Sequence, residues 1–361
     1  MTENAAVPEV RLAAAVADLP AYVPGARPAP GARMVKLSSN ENPYPPLPSV
    51  LAEVVAAASE LNRYPDMAAT ELVEAIGAHH GVPPEWVVPG TGSVAVLQHL
   101  LIAACDPGSE VVHAWRSFEA YPIAVRLAGG VSVPVPLAAG GRHDLAAMAA
   151  AVTERARAVL VCTPNNPTGA VVRAAELQEL LAAVPPHVLV VVDEAYVEFV
   201  RDDDAVDGLA ALAEHPNVVV LRTFSKAYGL AGLRVGYALA RPRIAQAVRA
   251  VATPFGVSGL AQRAAVASLG VRDELLTRVE TIVEERDRML AGLRDAGLDV
   301  TDSHGNFVWL ALGDQTADFA TEALAAGVAV RPFVGEGVRV SVGEPEGTDL
   351  LVDLVRRRLD R

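Results

Sequence analysis

The chain has 361 residues, and its 30 basic against 43 acidic side chains give a formal net charge of −13. That balance argues against a nucleic-acid surface, while the length suffices for about two domains with a sizeable core. Residues 1–33 lack a basic stretch followed by an apolar one, and no run of about 18 apolar residues occurs, so neither a signal peptide nor a membrane span is expected and the chain is predicted to be cytoplasmic.

The proline-rich residues 19–48 predict an extended arm. From residue 47 to about 249, apolar runs alternate with amphipathic helical stretches, the pattern of a mostly parallel sheet covered on both faces. Strands are predicted at 86–88, 110–113, 131–135, 158–162, 188–192, 218–221 and 235–238. Leu275, Leu276, Val279, Ile282, Val283, Leu290 and Leu293 then recur at helical spacing, predicting a long helix that stops at Gly297. Shorter strand-like runs follow at 306–311, 328–330 and 338–342. The expected fold class is α/β: a large domain at 47–252 with its sheet sandwiched by helices, a smaller α/β domain at 253–361, and residues 1–46 as the arm and part of the small domain. Cys105 and Cys162 are too few for a disulfide framework and read as reduced structural thiols. His79, His80 and His304 form no cluster with Cys or Glu, so no metal is expected.

Open α/β sheets bind ligands beyond the carboxyl ends of their strands, and four polar motifs follow four predicted strands. In Pro89-Gly90-Thr91-Gly92-Ser93-Val94-Ala95, glycines at a strand-to-helix turn let backbone N–H groups approach a phosphate, with Gly92, Ser93 and Val94 as the contacts. The segment also fits the dinucleotide pattern G-x-G-x-x-A, with Glu110 standing 20 residues beyond Gly90 as a ribose-binding acid. A nicotinamide-dependent dehydrogenase is therefore a rival reading. Asn166, in Thr163-Pro164-Asn165-Asn166-Pro167, offers an amide donor for a phenolate oxygen. Asp193 ends an apolar run and needs a cation there; a protonated pyridine nitrogen supplies one, and metal ligation or helix capping are the alternatives. Tyr196, three residues on, brings a hydroxyl towards the same ring. Lys226 follows the run 218–221, and it is one of only two lysines, with Lys36, against 28 arginines. Its amine suits covalent attachment to an aldehyde, while Ser225 and Arg234 suit a phosphate.

Together these groups describe pyridoxal 5′-phosphate. The four motifs in this order resemble those of fold-type I aminotransferases, specifically the histidinol-phosphate aminotransferase family, and Lys36-Leu37-Ser38-Ser39-Asn40-Glu41-Asn42-Pro43-Tyr44 and Asn62-Arg63-Tyr64-Pro65-Asp66 are similar to its N-terminal motifs. The resemblance implies a homodimer in which Tyr64 reaches the phosphate of the neighbouring active site, with Tyr22 of the arm and Asn42 at the substrate. Where the histidinol-phosphate branch usually has an acidic pair after the Gly turn, this chain has Val94 and Ala95. Where it usually has Pro-Thr-Phe-Ser-Met-Tyr, this chain has Trp115-Arg116-Ser117-Phe118-Glu119-Ala120-Tyr121-Pro122. Both variants resemble the branch of aromatic-amino-acid (phenylalanine) aminotransferases. Phe118 is the expected ring-stacking side chain, with Trp115 as the alternative.

Arg339 lies alone among alternating apolar residues at 338–342 and is expected to grip a carboxylate bidentately; Arg331 is a second candidate, with a structural ion pair as its other reading. The implied activity moves the amino group of an aromatic L-amino acid to 2-oxoglutarate, with Lys226 shuttling a proton. Histidinol phosphate is the alternative substrate, because an arginine grips either anion. A transcriptional regulator on the same fold would need an added helix-turn-helix module, for which the proline-rich entry is too short.

Overall fold

The computed structural model describes residues 10, 12–17, 19 and 34–360. Its strands, in chain order, are β1 (Val35–Lys36), β2 (Val87–Gly90), β3 (Glu110–Trp115), β4 (Val131–Pro136), β5 (Ala156–Cys162), β6 (Leu189–Asp193), β7 (Val218–Thr223), β8 (Gly236–Ala240), β9 (Phe307–Leu310), β10 (Val328–Ala329), β11 (Arg331–Phe333) and β12 (Gly337–Ser341). Seven of them form one sheet in the order β2-β8-β7-β6-β5-β3-β4. Every pairing from β7 to β4 is parallel, and β8 runs antiparallel to both its neighbours. All seven strands predicted between residues 86 and 238 are present, each within two residues of its expected start.

The central strands read as continuous apolar runs because helices bury both faces. Val159, Val161, Val190, Val192, Val218 and Val220 pack into one core, and Leu160, Val191, Val219 and Leu221 face the other. The first core includes the helices Pro48–Ala57, Thr70–His80 and Gly259–Gly270 through Val50, Leu72, Ile76 and Ala264. The helix Arg272–Asp295 then runs between two cores, with Leu275, Val279 and Ile282 against the large sheet. Met289, Leu290 and Leu293 lie in a third core with Val338, Leu351 and Leu37. This helix ends as expected, at Gly297, whose φ of 93° the absence of a side chain permits.

The third core lies beneath a smaller antiparallel sheet, β11-β12-β9. β1 pairs in parallel with β10, so the segment following the arm is tied to C-terminal structure, and the Leu37 carbonyl accepts the Ser341 N–H. Two chain segments some 300 residues apart are thereby brought to the edge where β5, β6 and β7 end.

Candidate active site

Beyond the carboxyl ends of β5–β7 lies a cavity of about 540 Å³. Its wall includes Ser93, Val94, Phe118, Asn166, Asp193, Tyr196, Ser225, Lys226, Arg234, Arg331 and Arg339, gathering most of the polar residues singled out from the sequence.

Asp193 is the last residue of β6, opposite Cys162 in the register, and is 6% exposed. Its Oδ2 accepts the Tyr121 hydroxyl at 2.8 Å, and Oδ1 is buried with no hydrogen-bond partner. Burial raises its pKa from 3.8 to about 6, the Tyr121 hydrogen bond opposing the rise. A buried carboxylate oxygen left open at a cavity wall suits a cationic ring nitrogen. The neighbouring Glu194 has a different task. It takes Arg222 through two bonds of 2.9 and 2.7 Å and the Gly208 N–H at 2.8 Å.

Lys226 sits just beyond β7, its Nζ donating to the Asn40 carbonyl at 3.3 Å. Burial first, then the positive charges of Arg339 and Arg234, lower its pKa from 10.5 to about 8. Arg339, distant in sequence, contributes more than Arg234, which lies only eight residues on. The other lysine, Lys36, is ion-paired with Glu41 at 2.6 Å. Arg234 adopts a φ of 54°, which turns its guanidinium back to Ser225 Oγ (3.3 Å) and the Ala231 carbonyl (3.0 Å). A Cβ on Gly92, itself at φ 87°, would stand 2.7 Å from Arg234 Nη2, so only glycine lets this arginine lie over the turn where the helix Ser93–Ala104 begins. Backbone donors at a helix start, a hydroxyl and a guanidinium form a cradle suited to phosphate.

Asn166 turns its Oδ1 to Arg339 Nη1 at 2.7 Å, which leaves its amide NH₂ as the donor facing the cavity. Arg339 also donates to the Ser38 carbonyl at 3.0 Å and is 8% exposed. The Tyr196 hydroxyl accepts Asn40 Nδ2 at 3.0 Å, and burial pushes its pKa up. Phe118 lines the cavity, with Tyr121 edge-on to it at 5.6 Å between ring centroids, whereas Trp115 packs against His113 and Arg116 outside the wall. Arg331 lines the cavity while paired with Glu119 at 2.8 Å, so both of its readings hold at once. Arg116 grips Glu336 with both Nε and Nη2, joining the same two segments a second time.

Other expected residues lie elsewhere. Asn42 does not face the cavity: its amide donates to the Ala227 carbonyl at 3.0 Å and its Oδ1 accepts the Tyr44 N–H at 3.0 Å, so it holds the turn that carries Lys226. Tyr64 is 82% exposed, tilted against Phe255 with 4.7 Å between centroids, and outside this chain's cavity wall. Tyr22 falls outside the described residues. Glu110, the ribose-binding acid of the dehydrogenase reading, stands at the far end of β3 and is held by Arg155 and Thr153. No group of His, Cys, Asp and Glu among the described residues has the arrangement of a metal site.

Tyr121 and Asn40 were missed. Tyr121 lies in a helical turn whose burial reads as ordinary core, though its place three residues after Phe118 lets the two rings meet across the turn that opens the helix Ala120–Leu127. Asn40 has a φ of 50°, a left-handed conformation that asparagine tolerates, and only its position in a polar run hinted at a role.

A sequence profile of the family described as Aminotransferase class I and II matches residues 32–355. An aromatic amino acid aminotransferase of Streptomyces avermitilis is 56% identical over 349 residues, spanning 96% of this chain and 97% of its own length. One of Thermobifida fusca is 54% identical over 346 residues, spanning 96% of each. Among solved structures, the histidinol-phosphate aminotransferase from Sinorhizobium meliloti in complex with pyridoxal-5′-phosphate superposes with a TM-score of 0.83 at 32% identity, covering 90% of this chain and 91% of that one. The aspartate aminotransferase from Thermus thermophilus with maleate superposes with a TM-score of 0.79 at 27% identity, covering 91% and 92%.

Proposed function

Because the chain belongs to the class I and II aminotransferases, with a fold-type I sheet, we propose that it transfers the amino group of an aromatic L-amino acid to 2-oxoglutarate. Pyridoxal 5′-phosphate is its cofactor, and the carrying observation is the open, buried Oδ1 of Asp193 at the wall of the cavity that also holds Lys226. The cofactor supplies a carrier for the amino group and an electron sink for the reacting carbon.

Each residue has a distinct task. Asp193 would pair with the ring nitrogen, held in place by Tyr121. Asn166 and Tyr196 would hold the ring oxygen, Phe118 would stack on the ring, and Ser93, Val94, Ser225 and Arg234 would hold the phosphate. Arg339, fixed by Asn166 and Ser38, grips the α-carboxylate. Lys226 would hold the cofactor covalently, and its Nζ is placed to take a proton from the substrate Cα and to return it. A pKa of about 8 suits both duties, since the amine exchanges protons near physiological pH.

The aromatic preference is supported by the curated relatives and by the Val94-Ala95 and Trp115–Pro122 variants. Turnover of phenylalanine and of histidinol phosphate by the same preparation tests it, and faster turnover of histidinol phosphate would overturn it. The working unit is a homodimer: Tyr64, with exposed Leu61 and Met67 nearby in sequence, is the side chain offered to the second site. Sedimentation at the mass of one chain would refute the pairing. The protein acts in the cytoplasm, an assignment that recovery from another cell fraction would reverse.

A further inference from the structure

The antiparallel pairing of β11 with β12 sets Arg331 directly opposite Arg339, and both side chains lie on the cavity wall. Cross-strand partners share a face, so two guanidiniums flank one place where an anion can bind. Among the described residues, their partners differ. Arg339 donates to two neutral oxygens, Asn166 Oδ1 and the Ser38 carbonyl, whereas Arg331 Nη2 meets the carboxylate of Glu119 at 2.8 Å. Glu119 comes from the other side of the cleft, one residue before the helix Ala120–Leu127 and next to Phe118. The Arg331 side chain is 9% exposed, so water screens this pair only in part.

Glu119 therefore places one negative charge beside the arginine pair. A substrate carboxylate brings a single charge, while a phosphate monoester carries about −1.5 to −2 at neutral pH. The extra charge on the phosphate is what Glu119 opposes. The departure from the histidinol-phosphate branch falls at this residue: matching Phe118 and Tyr121 to the aromatic residues of Pro-Thr-Phe-Ser-Met-Tyr sets an uncharged serine against Glu119.

We propose that Glu119 determines which anion the site accepts: by offsetting Arg331 it fits the arginine wall to an α-carboxylate and disfavours a substrate that presents a phosphate at the same place. This inference rests on the aromatic reading given above. It assigns to a residue outside the cavity lining the discrimination between two substrates that one arginine grips equally well.

The test compares kcat/KM for phenylalanine and for histidinol phosphate in the holoenzyme and in Glu119→Gln, Glu119→Asp and Glu336→Gln. Glu119→Gln should raise the ratio of histidinol phosphate to phenylalanine by about tenfold or more, mainly through a lower KM for the phosphate substrate. Inorganic phosphate should also inhibit this variant at lower concentration than it inhibits the parent. Glu119→Asp keeps the charge and should keep the parent's ratio. Glu336→Gln loosens the same hairpin from Arg116 without touching Arg331, and should leave the ratio unchanged. An unaltered ratio in Glu119→Gln, or an equal rise in Glu336→Gln, would overturn the assignment. A parent enzyme that prefers histidinol phosphate would instead overturn the aromatic reading, and the change from parent to Glu119→Gln still measures the effect of the charge.

Discussion

Asp193 sets function against stability, and Asp193→Asn separates the two. Burial lifts this carboxyl from 3.8 to about 6 even with the Tyr121 hydrogen bond in place. A folded-state value above the unfolded one means that the cofactor-free fold favours the protonated acid. The cost of ionising it is absent below about pH 4, grows as the pH rises to about 6, and is fully present beyond. A difference of about two pH units corresponds to roughly 3 kcal/mol. Asparagine has nearly the same shape, carries no charge and still accepts the Tyr121 hydroxyl. Freed of cofactor, Asp193→Asn should therefore exceed the parent in stability by up to about 3 kcal/mol at about pH 8, and the gap should close towards pH 4. Urea unfolding of both cofactor-free proteins across this range measures it. Added pyridoxal 5′-phosphate should reverse the order, because only the ionised acid balances a protonated ring nitrogen. Turnover should fall on the order of 100-fold or more. A cofactor-free variant no more stable than the parent at pH 8, or a gap of equal size at both pH values, would refute the reasoning.

The adjacent acid should behave in the opposite way. Glu194→Gln breaks a buried ion pair with Arg222 and should destabilise the protein by about 3–5 kcal/mol in urea unfolding, with kcat at low temperature changed far less than by Asp193→Asn. Lys226→Ala should abolish turnover and the visible absorbance of the lysine-bound cofactor, and retention of both would show that another amine reacts. In the parent, the rate at which cofactor-free protein takes up pyridoxal 5′-phosphate should rise through about pH 8 as Lys226 loses its proton. Arg339→Gln removes a charge that lowers this pKa, so the rise should move to higher pH; an unmoved curve would mean that burial and Arg234 set it without Arg339. Tyr121→Phe removes the bond that favours ionised Asp193 and should weaken cofactor binding most at the acid end, as read by equilibrium dialysis at pH 6 and 8.

The parts of the site that were legible in the sequence are those fixed by the sheet. Asp193, Asn166 and Lys226 each follow an apolar run, and a run buried on both faces has a definite end, so the residue just beyond it has a predictable place. Phe118 was legible by position, and Arg339 by standing alone among apolar residues. Side-chain direction was not legible. Asn42 has the polarity of a ligand contact, yet the Tyr44 N–H two residues on and the distant Ala227 carbonyl take up its hydrogen bonds. Arg331 faces the cavity, but its pairing with Glu119 joins a strand to a helix start on the opposite side of the cleft, and sequence separation conceals such partners. Tyr121 and Asn40 stayed hidden because the first looks like core and the second owes its place to backbone conformation. The rival dinucleotide pattern failed for a topological reason: Glu110 begins its strand, whereas the Gly turn ends one.

The carbonyl of Asn40 receives both Lys226 Nζ and Asn306 Nδ2, and the Asn40 N–H and side-chain oxygen are fixed by Ser341. The reactive amine is thus seated by a peptide group that residues near both ends of the polypeptide must lock. During translation the large sheet can assemble once β8 has emerged, but the nucleophile has no finished seat until Ser341 has left the ribosome. Chemical competence arrives last, so a nascent or truncated chain that has already built most of its core should still be unable to present the amine in its working position.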